Sequence, residues 1–163
     1  MTIRLLLIDD HAVVRSGLRM LLESESDMVI VGEGGTAREA LESVARLTPD
    51  LVLMDIGLPD MSGIEVTQKI KAGWPQVAVV ALTIHEDEEY FFKMLQAGAS
   101  GYVPKRAAPE ELLTAIRTAA SGEVYLYPSL AKLLVKDYVS GGKEQTGLGA
   151  IDDLTDRENE VMA

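Results

Sequence analysis

Leu51-Val52-Leu53-Met54-Asp55 is the stretch that decides the fold: four apolar residues run straight into an aspartate. A run this short and this uniformly apolar reads as a strand covered on both faces, the habit of strands in parallel sheets. Val77–Leu82 has the same character. Working outward, Ile3–Asp9, Met28–Glu33 and Gly101–Val103 supply three more strands. Between them Ala12–Glu23, Ala37–Leu47, Gly63–Ala72, Glu86–Ala97 and Pro109–Ser121 show helical spacing. Val13, Leu18, Leu21 and Leu22 form one stripe on the first of these, and Asp10 is placed as its N-cap. Thr36 stands ready to cap the second with Glu39 as its capping-box partner, and Gly73 and Gly98 sit where helices stop. The alternation predicts an α/β fold with a doubly wound, five-stranded parallel sheet. In the strand order 2-1-3-4-5 the first and third strands are neighbours, and ligands bind beyond their carboxyl ends. Asp9, Asp10 and Asp55 all fall there.

The bulk composition agrees with a globular chain. Its 163 residues suffice for one full domain plus a fragment, and 47% hydrophobic with 25% charged residues is ordinary globular composition rather than that of a disordered chain. No stretch approaches the roughly 20 apolar residues that span a bilayer, and Leu5–Ile8 is too short for a signal peptide. With no cysteine, disulfides and thiolate-metal sites are excluded; the expectation is a cytoplasmic protein without a membrane partner. A net charge of −11 speaks against this chain gripping nucleic acid by itself.

After Gly122 the character changes. Pro128–Val139 reads as a further helix, residues 141–149 as a Gly-rich linker, and Leu154–Ala163 as the opening of another helix, with Thr155 as N-cap and Glu158 as its partner. Over residues 141–163 Lys143 and Arg157 face six acidic residues, a net of −4, so this fragment is expected not to bind DNA specifically.

Three carboxylates at one sheet edge repel each other. A hard divalent cation such as Mg²⁺ relieves this, taking oxygen ligands near about 2.1 Å and keeping waters. Such a site leaves a face open for a phosphoryl oxygen, and a carboxylate can attack phosphorus to give an aspartyl phosphate. Thr83, closing the fourth strand, offers a hydroxyl; Lys105, just past the fifth, offers an ammonium; Gly57 can present a backbone carbonyl to the metal.

Asp9-Asp10, Asp55 in LVLMDIGLPDMSG, Thr83 in VVALT and Lys105 in AGASGYVPK together resemble response-regulator receivers, over roughly the first 120 residues. LTDRENEVM resembles the start of a LuxR-type helix-turn-helix, and DDH followed by VRSGL fits the NarL/FixJ subfamily. The resemblance implies a flavodoxin-like receiver over residues 1–122, a linker with a helix over 123–153, and the first helix of a DNA-binding domain over 154–163. It implies that Asp55 accepts a phosphoryl group from a sensor histidine kinase. Asp10, Asp55 and the Gly57 carbonyl would bind Mg²⁺, with Asp9 acting through water. Thr83 and Lys105 would contact the phosphoryl group, and Tyr102 would reposition as Thr83 is drawn in. It further implies a homodimer, and promoter DNA as partner of the full-length C-terminal domain. The protein would be a switch rather than a turnover enzyme. Two departures stand out: Pro104 precedes Lys105 where receivers often carry proline after it, and Ile84 is bulkier than the small residue common there.

Each residue also has a plainer reading. Asp10 can cap a helix, Asp55 can form a turn, Thr83 can cap the next helix, Lys105 can be a solvated lysine, and Tyr102 can be half-buried packing. His11 and His85 read as helix-end residues. Their joint placement at one edge favours the site. A Mg²⁺-dependent phosphatase with an aspartyl nucleophile is a rival, but it usually carries a carboxylate two residues after the nucleophile, where this chain has Gly57. A stand-alone receiver is opposed by the tail, and a pseudo-receiver by the complete acidic set.

Overall fold

A computed structural model of the chain describes residues 2–83, 88–126 and 132. The elements run β1 (Ile3–Ile8), α1 (Ala12–Glu23), β2 (Met28–Gly34), α2 (Ala37–Leu47), β3 (Leu51–Asp55), α3 (Gly63–Gly73), β4 (Ala78–Thr83), α4 (Glu88–Ala97), β5 (Gly101–Pro104), α5 (Pro109–Ala120) and β6 (Tyr125–Leu126). The sheet is parallel, in the order β2-β1-β3-β4-β5-β6. The predicted order holds, and one strand is added at the edge. That sixth strand pairs Gly101 with Tyr125 and Tyr102 with Leu126; two residues are too few to show a period in sequence.

Strand parity divides the core. Leu5, Leu7, Leu51, Leu53, Val80 and Leu82 face α1 and α5, where Leu22, Leu112, Ala115 and Ile116 meet them. Leu6, Ile8, Val52, Met54 and Val79 face the other way, onto Ala37, Ala40 and Val44 of α2 and Val66 and Ile70 of α3. Ala81 and Tyr102 pack against Phe91 and Met94 of α4. Side chains alternate between faces along a strand, so both faces of β1, β3 and β4 are buried and the apolar run of residues 51–54 is explained.

Local signals fix several helix ends. Thr36 Oγ1 accepts from Glu39 N at 3.1 Å, as predicted, while Glu39 Oε1 accepts from Gly35 N at 2.7 Å. Ser62 caps α3 in the same way, through Glu65 N at 3.2 Å. After α4, Gly98 takes φ +106°, its N–H reaching Leu95 O and the Ala99 N–H reaching Met94 O, the paired bonds of a Schellman stop. The N-terminus of α1 departs from expectation. Its N-cap is His11, whose side chain makes no cap bond, and Asp10 lies one residue earlier, free of that duty.

The predicted helix over 128–139 (Lys132 excepted), the 141–149 linker and the helix opening at 154 lie outside the described residues, as do Ile84, His85 and the first turn expected at Glu86.

Candidate functional site

Sheet register assembles the site. Ile8 pairs with Met54, so Asp9 and Asp55 leave β1 and β3 side by side. Asp55 pairs with Leu82, which puts Thr83 one residue further along β4; Thr83 pairs with Pro104, and Lys105 follows at once. The ladder runs on past the strands through Asp9 N to Gly34 O (3.0 Å), Ile56 N to Leu82 O (3.2 Å) and Lys105 N to Thr83 O (2.6 Å). These bonds hold the loop backbones that carry the functional side chains. Gly63 lets α3 begin close by, since a Cβ there would lie 2.8 Å from Ile56 Cβ and 2.9 Å from Ile56 Cα.

Asp9 is fully buried and the Asp55 side chain is 7% exposed, whereas that of Asp10 is 31% exposed. Lys105 Nζ lies 3.1 Å from Asp9 Oδ2 and 3.2 Å from Asp55 Oδ2. Burial presses the Lys105 ammonium toward losing its proton, but the Asp9 and Asp55 carboxylates together outweigh that, and its pKa is raised. Gly57 N donates to Asp55 Oδ1 at 3.0 Å, and His11 N donates to Asp9 Oδ1 at 2.8 Å. These bonds orient both carboxylates. Three carboxylates against one ammonium leave two negative charges, which a divalent cation balances; the donor set is oxygen-rich, as a hard cation requires. The residues fit such an ion.

The structure thus brings Asp9, Asp10, Asp55 and Lys105 into one cluster, with Gly57 at its rim and Thr83 (1% exposed) at the adjoining strand end. Tyr102 lies two register pairs back from this end of β5. It is fully buried rather than half-buried, edge-on to Phe91 with ring centroids 5.4 Å apart, among the α4 contacts.

Three participants escaped the sequence reading. His11 Nδ1 stands 3.0 Å from Asp10 Oδ1 and 3.3 Å from Asp9 Oδ1, inside the cluster rather than merely at a helix end. Adjacency to two aspartates was the available signal. Arg15 Nη1 donates to Asp9 O (2.5 Å) and Gly34 O (3.3 Å), tying together the ends of β1 and β2, while Nε pairs with Glu33. Asp60 accepts from Ala37 N (2.8 Å) and Arg38 N (3.0 Å), so the loop after β3 caps α2 from a distance. Those backbone donors hold the Asp60 carboxyl below its usual range.

The sequence profile of the response regulator receiver domain matches residues 5–117. The chain belongs to this receiver family. It is 40% identical over 144 residues to the oxygen regulatory protein NreC of Staphylococcus aureus strain JH9, covering 88% of this chain and 66% of that one. The chain therefore spans just under two thirds of the length of the curated relatives it matches. A LuxR-family two-component response regulator from Aurantimonas sp. SI85-9A1 superposes with a TM-score of 0.81 at 36% identity, over 85% of this chain and 99% of that one. The response regulator domain of Thermotoga maritima CheB gives 0.70 at 30% identity, over 76% and 99%. These relatives make the chain a receiver of a two-component response regulator, of a family that is primarily signalling. No described helix is long and apolar enough to cross a membrane.

Proposed function

We propose that Asp55 accepts a phosphoryl group from a phosphohistidine on a sensor histidine kinase and that the chain is thereby switched. One observation carries the reading: a nearly buried Asp55 carboxylate lies 3.2 Å from the Lys105 ammonium, beside two further aspartates, with one oxygen already fixed by the Gly57 N–H. An Asp55 oxygen attacks phosphorus, the bond from phosphorus to the donor imidazole breaks, and the released nitrogen takes up a proton from water. Lys105 pairs with an oxygen of the transferred group, and the Thr83 hydroxyl donates to another. Transfer of this kind rests on positioning and charge neutralisation more than on covalent help from the protein. Mg²⁺ supplies further neutralisation of the phosphoryl oxygens when bound; Asp10, Asp55 and the Gly57 carbonyl would hold it, with Asp9 acting through water.

The test is intact mass after incubation with a small phosphodonor. Wild type gains one phosphoryl group with Mg²⁺ and little without it, and Asp55→Asn gains none. Equal labelling of Asp55→Asn would overturn the assignment.

For the whole protein we infer a receiver over residues 1–122, a linker over 123–153 and the start of a LuxR-type DNA-binding domain from residue 154, acting as a homodimer on promoter DNA. The LTDRENEVM tail and the LuxR-family relative support this. A titration of labelled promoter DNA against this chain and against a chain carrying a full helix-turn-helix tests it. Selective binding by the longer chain alone is expected, and selective binding by these 163 residues would refute the division.

A further inference from the structure

We propose that His11 is a nitrogen ligand of the cation site, so that the site takes a first-row transition metal ion such as Co²⁺ more tightly than Mg²⁺. This rests on the reading of the acidic cluster as a cation site and adds to it a determinant of which cation binds. His11 Nδ1 lies 3.0 Å from Asp10 Oδ1, 3.3 Å from Asp9 Oδ1 and 4.0 Å from Asp55 Oδ2. Donors at about 2.1 Å from an octahedral ion stand about 3.0 Å apart when adjacent and about 4.2 Å apart when opposite. Toward the two carboxylates that would ligate directly, the His11 separations match both kinds: adjacent to Asp10 and opposite to Asp55. Ligand atoms of all four side chains lie within 4.8 Å of one another.

A second observation concerns what His11 does not do. It holds the N-cap of α1, a position that favours Ser, Thr, Asp or Asn, yet its side chain caps nothing. The ring is 64% exposed, and among the described residues its side-chain ion pairs within 4 Å are all with the cluster's own carboxylates. In its neutral form the imidazole can offer the Nδ1 lone pair to a cation while Nε2 keeps the proton. Imidazole discriminates between cations where carboxylates do so weakly. Mg²⁺ is served by oxygen and water, whereas Co²⁺, Ni²⁺ and Zn²⁺ gain from nitrogen.

The experiment titrates the full chain, without a histidine tag, with Mg²⁺ and separately with Co²⁺ by calorimetry. The Co²⁺ complex is also followed by its visible ligand-field bands and by the shifted imidazole resonances. The chain has two histidines, so His85→Ala assigns the two rings. His11→Ala should weaken Co²⁺ at least about tenfold while Mg²⁺ changes by less than about twofold. His11→Gln, which offers an amide oxygen in place of the ring nitrogen, should keep the Mg²⁺ affinity and leave Co²⁺ weak. If Co²⁺ and Mg²⁺ weaken in parallel, or neither changes, His11 is no ligand and the proposal falls while the carboxylate site stands. If wild type binds neither ion, the cation-site reading itself is wrong and takes this proposal with it.

Discussion

Replacing Lys105 by Met keeps the aliphatic stem and removes the ammonium that pairs with two buried carboxylates. Its Nζ stands 3.1 Å from Asp9 Oδ2 and 3.2 Å from Asp55 Oδ2, and the three side chains are 15%, 0% and 7% exposed. At an effective dielectric near 20, each pair attracts by about 5 kcal/mol before desolvation is subtracted. Dehydrating the ammonium returns much of this. Stripping one partner from a buried pair nevertheless costs about 3–5 kcal/mol, because the carboxylates are left uncompensated. For a domain whose whole stability is about 5–15 kcal/mol, that is a large share. Urea unfolding in EDTA should show it: with a slope of about 2 kcal/mol per molar, the midpoint falls by about 1.5–2.5 M. Saturating Mg²⁺ should raise the midpoint more in Lys105→Met than in wild type, since the variant site carries one more unbalanced negative charge. The pH dependence has a definite sign. The folded Lys105 pKa is raised, so its contribution is complete below the unfolded value near 10.4 and is lost as pH rises through the folded value. Wild type should keep its advantage over the variant from neutral pH to about 9 and lose it in stronger alkali. Equal midpoints in EDTA would refute the argument that Lys105 holds the carboxylate cluster together.

Asp60 binds the first turn of α2 with a depressed pKa, so its stabilisation is present above the unfolded value near 3.9 and is lost as pH falls through the folded value. Asp60→Ala should therefore lower the melting temperature at neutral pH and flatten its acid limb; parallel acid limbs would contradict this. Gly98→Ala forces a φ of +106° on a residue with a Cβ and brings that carbon to 2.9 Å from Lys71 Cγ, so it should cost about 1–3 kcal/mol in urea unfolding, and an unchanged midpoint would show that the α4 stop is not tight.

Much of the architecture was legible because apolar alternation is a local property. Leu51–Asp55 appears in the structure with the bounds read from sequence, since burial on both faces leaves so uniform a run. Asp9 and Asp55 could be placed side by side from strand order alone. Asp10 misled as a cap because the preference that marks an N-cap also fits an acid at a strand end; only the backbone shows that α1 begins one residue later. Tyr102 shows the limit of an isolated residue. Its complete burial depends on Phe91 and Met94 of α4, which no local pattern couples to it. Asp60 reaching α2 across 23 residues, and Arg15 reaching the Asp9 carbonyl, are tertiary contacts of the same kind. β6 escaped because two residues carry no period.

The central claim is that phosphorus is bonded to Asp55, and borohydride trapping tests it most directly. The chain is incubated with phosphoramidate and Mg²⁺, reduced with borohydride, digested and mapped by peptide mass spectrometry. Reduction converts an aspartyl phosphate to homoserine and leaves free aspartate untouched. The account predicts homoserine at position 55 and aspartate at 9, 10 and 60, with no conversion when the phosphodonor is left out. Homoserine at another aspartate, or phosphate retained on a serine, threonine or histidine with position 55 unconverted, would contradict it.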